Sequence, residues 1–339
     1  MNDLSLTTDL QDCFPTISTG LKKAQKVFDS IHSFEDVERV FLMGAGLSAH
    51  TYRSYLTAVK QLYEYTGGLN PLQITPAHIE KFYDHLVKKV DRNTAYLRIR
   101  GLKRFFAGIR NVIPFYTSPF EIMSETLNRK MNRTKKGNRT KKALNNTELR
   151  LLLSWLSQNR SVKGLENYAI VYMLVTSGLR GSELCQLRWK DLEFYEGKWT
   201  ACFIGKGEKA AEQELYGPAV KACRVYFRKA FKRVPVPEDH LFWTIPAYKG
   251  DRERPLAYIT LWHRINKIGE VAKEQGVIKR DITFSPHLFR RTYATGLYKS
   301  GMGIKAIQEK TRHSSIEVLI KHYIHDEEPA APYLAKMFA

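Results

Sequence analysis

The sequence predicts a mainly α protein of two domains, the second carrying a small antiparallel sheet. Three observations predict it. Apolar residues recur at three- and four-residue spacing through most of the chain, the period of a helix that buries one face. Residues 129–142 hold eight Lys and Arg, no acidic residue and almost nothing apolar. Such a stretch cannot bury itself, so it reads as a linker between two packed bodies. Beyond it, KWTACFIGKGEKAAEQELYG breaks the helical period and reads as two short strands around a glycine-flanked turn.

At 339 residues the chain has room for two domains, each with its own core. Hydrophobic and charged fractions of 43% and 26% are ordinary. The charge balance is not: 54 Lys and Arg against 34 Asp and Glu give a formal +20. Such a field attracts polyanions, nucleic acid above all. The four cysteines, Cys13, Cys185, Cys202 and Cys223, include no Cys-x-x-Cys pair, which argues against a zinc knuckle or redox motif. They read as reduced thiols of a cytosolic protein. The N-terminus has no basic start followed by an apolar run, so no signal peptide is expected. Nor does any stretch approach the roughly 20 apolar residues of a bilayer span. The expected location is therefore cytoplasmic, with no membrane partner.

Residues 1–40 carry a helical pattern in TGLKKAQKVFDSIHSFEDVERVFL; an arm or an extra helix on the first domain both fit. The first domain is expected over residues 41–128. In it, Ser48 caps a helix whose Tyr52, Leu56, Val59 and Tyr63 share one face, ending at Gly67-Gly68. A second helix has Pro76 in its first turn. A third sets Leu97, Leu102 and Phe105 on one side and Arg98, Arg100, Lys103 and Arg104 on the other. Those four are either a solvated face or phosphate contacts. GAGLSA at residues 44–49 has no strand before it and no acidic ribose ligand after it, so it is not a dinucleotide turn. In the linker, Arg133, Lys135, Lys136, Arg139 and Lys141 read as a basic strap suited to a nucleic-acid backbone. The second domain, expected over residues 143–328, opens on a capping box, Asn145 with Glu148. GLENYAIVYMLVTSG is apolar enough for a buried helix, and amphipathic helices follow the hairpin. Pro329 and Pro332 break the last helix, leaving a tail at 329–339 with an apolar patch of Tyr333, Leu334, Met337 and Phe338.

A few scattered side chains suit one chemistry. Attack on a phosphodiester without a metal needs a nucleophile, cations on the non-bridging oxygens and an acid for the leaving oxygen. Arginine's planar fork suits the oxygens, and lysine or histidine suits proton transfer. Arg180 lies in TSGLRGSELCQL, His287 and Arg290 in PHLFR, and His313 and Tyr323 in HSSIEVLIKHY. The three-residue step sets His287 and Arg290 on one helical face, though Arg291 could replace Arg290. Lys206 and Lys209 both lie in the hairpin, and Tyr293, Tyr298 and Tyr333 compete with Tyr323.

In this order the motifs resemble those of the tyrosine recombinases, the phage-type integrase family of site-specific recombinases. The resemblance covers residues 143–328 by motif and 48–128 by domain pattern. TSGLRGSELCQLRWKDL resembles the first arginine box, which implies a phosphate clamp at Arg180 supported by Glu183. GKGEK resembles the hairpin segment with the acid, here Lys206. SPHLFRRTYAT resembles the second box, with His287 and Arg290, and TRHSS the third, with His313. Tyr323 takes the nucleophile position. Two departures stand out. Tyr323 follows His313 by ten residues where the family usually has nine, and Arg312 stands where a glycine often precedes this histidine.

The resemblance implies a C-shaped clamp on duplex DNA, made of an N-terminal helical core-binding, SAM-like domain and a catalytic domain. It implies cutting and rejoining of strands through a 3′-phosphotyrosine and a Holliday junction, with no metal, ATP or other cofactor. Implied partners are double-stranded recombination sites, three further copies of the chain in a tetramer on synapsed DNA, and accessory DNA-bending proteins. The free chain would be a monomer or weakly associated, and the work would be done at the bacterial nucleoid. In such enzymes the C-terminal tail docks on a neighbouring subunit. The rival readings are strand relaxation of the type IB topoisomerase kind and a DNA-binding relative without catalysis.

Overall fold

The structure, a computed structural model, describes residues 22, 25–42, 46–113, 116–132, 143–205, 209–244 and 254–323; for His50 and residues 321–323 it describes the backbone alone. The chain divides into two compact units, Met1–Asn138 and Arg139–Ala339.

The first unit is helical. Ser33 caps the short α1 (Phe34–Val37), which runs on as a π-helical turn, Glu38–Leu42. Ile31, Val37, Phe41 and Leu42 are buried in the unit's core, and the Phe41 ring meets Phe105 edge-on. The described part of residues 1–40 is therefore packed structure rather than an arm. α2 (Ala49–Tyr65) starts at Ser48, whose hydroxyl accepts from the Thr51 N–H. It ends where Gly67 and Gly68 turn to positive φ. α3 (Pro76–Lys89) has Thr75 as its cap and Pro76 in its first turn.

α4 (Arg92–Ile109) buries Ala95, Ile99, Leu102, Phe105, Phe106 and Ile109. Leu97, expected on that face, is 58% exposed; the 3.6-residue period carries it round to the solvent side. Residues 129–132, expected in the linker, are the end of α5 (Glu125–Asn132). Arg129 pairs with Glu125 at 2.6 Å and Lys130 with Asp84 at 3.0 Å. Met131 is fully buried. A single apolar anchor and local acidic partners convert that end of the basic run to helix. The strap residues Arg133, Lys135, Lys136, Arg139 and Lys141 lie outside the described residues, as does the tail.

The second unit is built around α7 (Val162–Ser177). It packs against α6 (Asn146–Gln158), α9 (Gly217–Phe231) and α11 (Pro286–Lys299). Its apolar residues leave no polar face, and Ile170, Val171, Met173 and Leu174 are completely buried. Each such side chain contributes about 1.5–3 kcal/mol relative to exposure. The Asn145–Glu148 capping box forms as expected. Arg280 completes it, donating to both Glu148 oxygens and, at 2.9 Å, to the Ala143 carbonyl.

The short helix α8 (Gly181–Gln186) leads into a three-stranded antiparallel sheet, β1 (Leu192–Tyr195), β2 (Lys198–Ile204) and β3 (Ala210–Leu215), in the order β1-β2-β3. β1 was not legible as a strand: three of its four residues are exposed, so no buried alternation marks it. The β2–β3 hairpin is the one expected, with Ala201 opposite Gln213 and Ile204 opposite Ala210. β4 (Trp243–Thr244) and β5 (Arg254–Pro255) form a second, two-stranded sheet.

α10 (Tyr258–Glu274), α11, α12 (Ile304–Thr311) and α13 (Ile316–Tyr323) complete the unit. Ala294, Ile307 and Leu319 form a separate small core joining the last three. On α13, Leu319 is fully buried, while Ile316 and Ile320 are 40% and 43% exposed. An eight-residue helix held by one small cluster buries only one turn of its stripe.

Candidate active site

Arg180 is the N-cap of α8, just past the left-handed Gly178 that ends α7. Two glycines permit this turn. Gly178 has φ +64°, and a Cβ there would sit 2.3 Å from the Tyr293 ring. A Cβ on Gly181 would lie 2.8 Å from Tyr258 and 2.9 Å from Pro286. The turn is thus pressed onto α10 and onto the start of α11.

Glu183 lies one turn into α8 and is 5% exposed. Its carboxylate accepts from the Arg180 backbone N–H at 2.8 Å and from Arg180 Nη1 at 2.7 Å. Burial alone would push the carboxyl up. The Arg180 N–H, Arg312 and the Arg180 guanidinium outweigh it and hold the carboxyl below its usual range.

Arg290 is 1% exposed. Its Nη1 donates to the Gly178 carbonyl at 2.5 Å. This ties α11 to the segment two residues before Arg180. His287, three residues earlier, is exposed in the first turn of α11. Arg291, the rival for Arg290, is also buried, at 8% exposure.

His313 follows the left-handed Arg312 that ends α12. The buried Thr311 hydroxyl donates to the Ile307 carbonyl at 2.6 Å, and His313 Nδ1 lies 2.6 Å from the Thr311 hydroxyl oxygen. Thr311 has one proton to give, so Nδ1 is the donor to it.

Arg312 joins these pieces. Arg180 Nη2 donates to its carbonyl at 3.0 Å. Its own Nη2 donates to Glu183 at 2.6 Å and its Nη1 to Gln213 on β3. Its guanidinium lies 5.1 Å from the centre of the Phe203 ring on β2. Its φ of +52° costs an L-residue about 1–2 kcal/mol relative to glycine. Sequence reasoning singled out Arg312 as a departure but gave it no role; Gln213 and Thr311 carried no signal at all.

Arg180, Glu183, Arg290 and His313 are thus brought together through Gly178 and Arg312. Lys206 lies outside the described residues; on either side of it, the Gly205 N–H donates to the Lys209 carbonyl at 2.7 Å. Tyr323 is the last residue of α13. Its rivals Tyr298 and Tyr293 are packed side chains: Tyr298 lines the small core, and burial raises the Tyr293 phenol. Tyr333 lies outside the described residues.

In the first unit, Arg100 and Arg104 are exposed on α4 and Arg98 is half-buried. Lys103 turns inward instead. Its ammonium donates to Asn128 at 3.1 Å and lies 5.5 Å from the centre of the Phe120 ring, and burial lowers its pKa.

An arginine cluster of this kind, on a mainly helical unit with a small antiparallel sheet, suits phosphoryl transfer. The comparisons give the class. Residues 142–329 match the phage integrase family and residues 34–111 the N-terminal SAM-like domain of phage integrases. The chain belongs to the phage integrase family: it is a tyrosine recombinase, a site-specific recombinase whose family activity is the cutting and rejoining of DNA.

Among similar proteins is a tyrosine recombinase of Agathobacter rectalis, 24% identical over 80% of this chain and 85% of its own. The XerA recombinase of Thermococcus kodakarensis is 25% identical over 91% and 97%. In fold, the chain resembles the XerH recombinase bound to palindromic difH substrate, with a TM-score of 0.65 and 20% identity over 94% of this chain and 89% of that one. It also resembles the Tn1549 transposon integrase in complex with transposon right-end DNA, with a TM-score of 0.64 and 17% identity over 90% and 98%. Among the described residues no helix is long and apolar enough to cross a membrane.

Proposed function

We propose that this recombinase cleaves duplex DNA with Tyr323 as nucleophile. The Tyr323 oxygen attacks the scissile phosphorus, the bond from phosphorus to the 5′ oxygen breaks, and a 3′-phosphotyrosine forms. The phenol proton passes to solvent with the help of His287, and Lys206 protonates the leaving 5′ oxygen. Arg180 and Arg290 hold the non-bridging oxygens, with His313. The free 5′-hydroxyl of a partner strand then attacks the phosphotyrosine and regenerates the tyrosine, by way of a Holliday junction. The observation that carries this reading is the pair of bonds from Arg290 to the Gly178 carbonyl and from Arg180 to the Arg312 carbonyl. Through them the three motif segments share one site.

DNA would be gripped by both units, with Arg100 and Arg104 on α4 and the basic strap Arg133, Lys135, Lys136, Arg139 and Lys141 on the phosphates. Four protomers would pair two sites, joined by the tail at 329–339, with accessory DNA-bending proteins where a site requires them. The place of work would be the bacterial cytoplasm, at the nucleoid. The domain limits that go with this reading are a core-binding domain to residue 132, a strap from 133 to 142 and a catalytic domain over 143–328.

Covalent trapping tests it. A duplex recovered by binding selection is nicked across the footprint, so that the short cleaved strand diffuses away, and denaturant-resistant adducts are counted. Adduct from wild type and from Tyr298→Phe, but not from Tyr323→Phe, is the expected result. Adduct persisting in Tyr323→Phe would refute the nucleophile. Tight binding without adduct from wild type would favour a non-catalytic relative, and relaxation of supercoiled DNA without pairing of two sites would favour topoisomerase-like action.

A further inference from the structure

We propose that Arg312 is a positioning residue for strand cleavage: its carbonyl holds Arg180, while its guanidinium ties Glu183 to the β2–β3 hairpin, between whose strands Lys206 falls in the sequence. The inference rests on the reading above and adds to it a residue outside the motif set.

The argument begins with the backbone. Arg312 has φ +52°, where glycine is the residue without penalty. If the position served only to end α12, glycine would fill it better. An arginine there is held for its side chain, and both terminal nitrogens of that side chain are engaged. It is 18% exposed. One nitrogen of the fork meets Glu183 at 2.6 Å and the other meets Gln213, itself 2% exposed on β3. The face of the guanidinium covers Phe203 on β2. Phe203 and Gln213 stand on the two paired strands of the hairpin, β2 and β3.

Three consequences follow for the reacting phosphate. Arg180 is fixed at both ends of its fork, by Glu183 on Nη1 and by the Arg312 carbonyl on Nη2, so its orientation is set before DNA arrives. Glu183 serves two guanidiniums, so the group keeps a net positive charge beside the position proposed for the phosphate. Through Arg312 the β2–β3 hairpin is anchored to the same carboxylate, and the proposed leaving-group acid, Lys206, follows β2 in the sequence. Lysine could supply the charge but not the two-pronged geometry.

The test is single-turnover cleavage of the selected, nicked duplex at saturating protein, with Kd measured alongside. Arg312→Gly keeps the carbonyl and suits the φ, so it removes the side chain alone; Arg312→Lys keeps the charge. The expected result is a Kd within about threefold of wild type and a cleavage rate constant lower by about 10–100-fold in Arg312→Gly, the scale of a small misplacement. Arg312→Lys should recover only part of it. A substrate with sulfur in place of the leaving 5′ oxygen needs no acid, so it should restore at least about tenfold to Arg312→Gly and little to Arg180→Ala. A rate equal to wild type in Arg312→Gly, or no gain from the sulfur substrate, overturns the inference while wild-type adduct and its loss in Tyr323→Phe keep the reading. Absence of adduct from wild type sinks the reading and the inference together.

Discussion

Arg290 Nη1 lies 2.5 Å from the carbonyl oxygen of Gly178, two residues ahead of Arg180. A charge that is 1% exposed has therefore been placed where it holds the other arginine's turn. The second arginine box supports the first, so a change at one reaches the other.

Replacing Arg290 should affect stability as well as chemistry. A hydrogen bond to a charged group contributes about 1.5–3 kcal/mol, so Arg290→Ala should lose at least about 2 kcal/mol in urea unfolding. Its cleavage rate should fall by more than about a hundredfold, the scale of removing an oxyanion donor. Arg290→Lys keeps a charge without the fork and should remain well below wild type in rate. Unchanged unfolding of Arg290→Ala would mean the Gly178 bond contributes nothing.

Gly178→Ala should be among the most damaging single-methyl additions in the chain. The new Cβ would stand 2.3 Å from the Tyr293 ring at φ +64°. Overpacking and the left-handed backbone together predict a loss of about 3 kcal/mol. Tyr293→Ala should relieve the clash, so the double variant should be less unstable than the sum of the singles by more than about 1 kcal/mol. Simple additivity would locate the damage in the backbone alone.

These two sites show what the sequence carried and what it did not. The helices of both units were legible because apolar spacing reports a buried face, as Ser48, Pro76 and the Asn145–Glu148 box did for their caps. The site was legible as motifs: Arg180, Glu183, Arg290 and His313 stand together within one unit. What was hidden is what holds them. Gly178 and Arg312 act through carbonyl oxygens, which every residue has, and Gln213 is reached across 99 positions of sequence. β1 and the helical end of the basic run escaped because exposed strands and locally neutralised lysines leave no periodic signal. Leu97 misled because an exposed leucine is ordinary.

The Glu183 carboxyl gives a pH signature. Its folded pKa is lowered, against an unfolded value of about 4.3. Its stabilising contribution is therefore complete above the unfolded value and is lost as pH falls through the lower folded one. The stability difference between wild type and Glu183→Gln should be flat from pH 8 to about 5, then shrink as the pH falls below the unfolded value of about 4.3. Urea midpoints taken at half-unit steps would show it. A difference that holds constant to the acid limit would mean Glu183 is not the carboxylate held low by Arg180 and Arg312.

Three of the basic residues of α4, Arg100, Lys103 and Arg104, should separate by function. Lys103 donates to Asn128 beside the Phe120 ring, while Arg100 and Arg104 are exposed on the same helix. If the exposed pair touches DNA phosphates, each replacement by glutamine removes one neutralised phosphate. The slope of log K against log salt should then fall by about 0.9 for Arg100→Gln or Arg104→Gln. Lys103→Met should leave that slope within error, because its ammonium serves the unit's own packing, and should lower stability by about 1 kcal/mol through the lost bond to Asn128. Fluorescence titrations across a salt series read the slopes directly. A full-unit change in slope for Lys103→Met, with none for the arginines, would reverse the assignment and mean that Lys103 leaves Asn128 to reach the backbone.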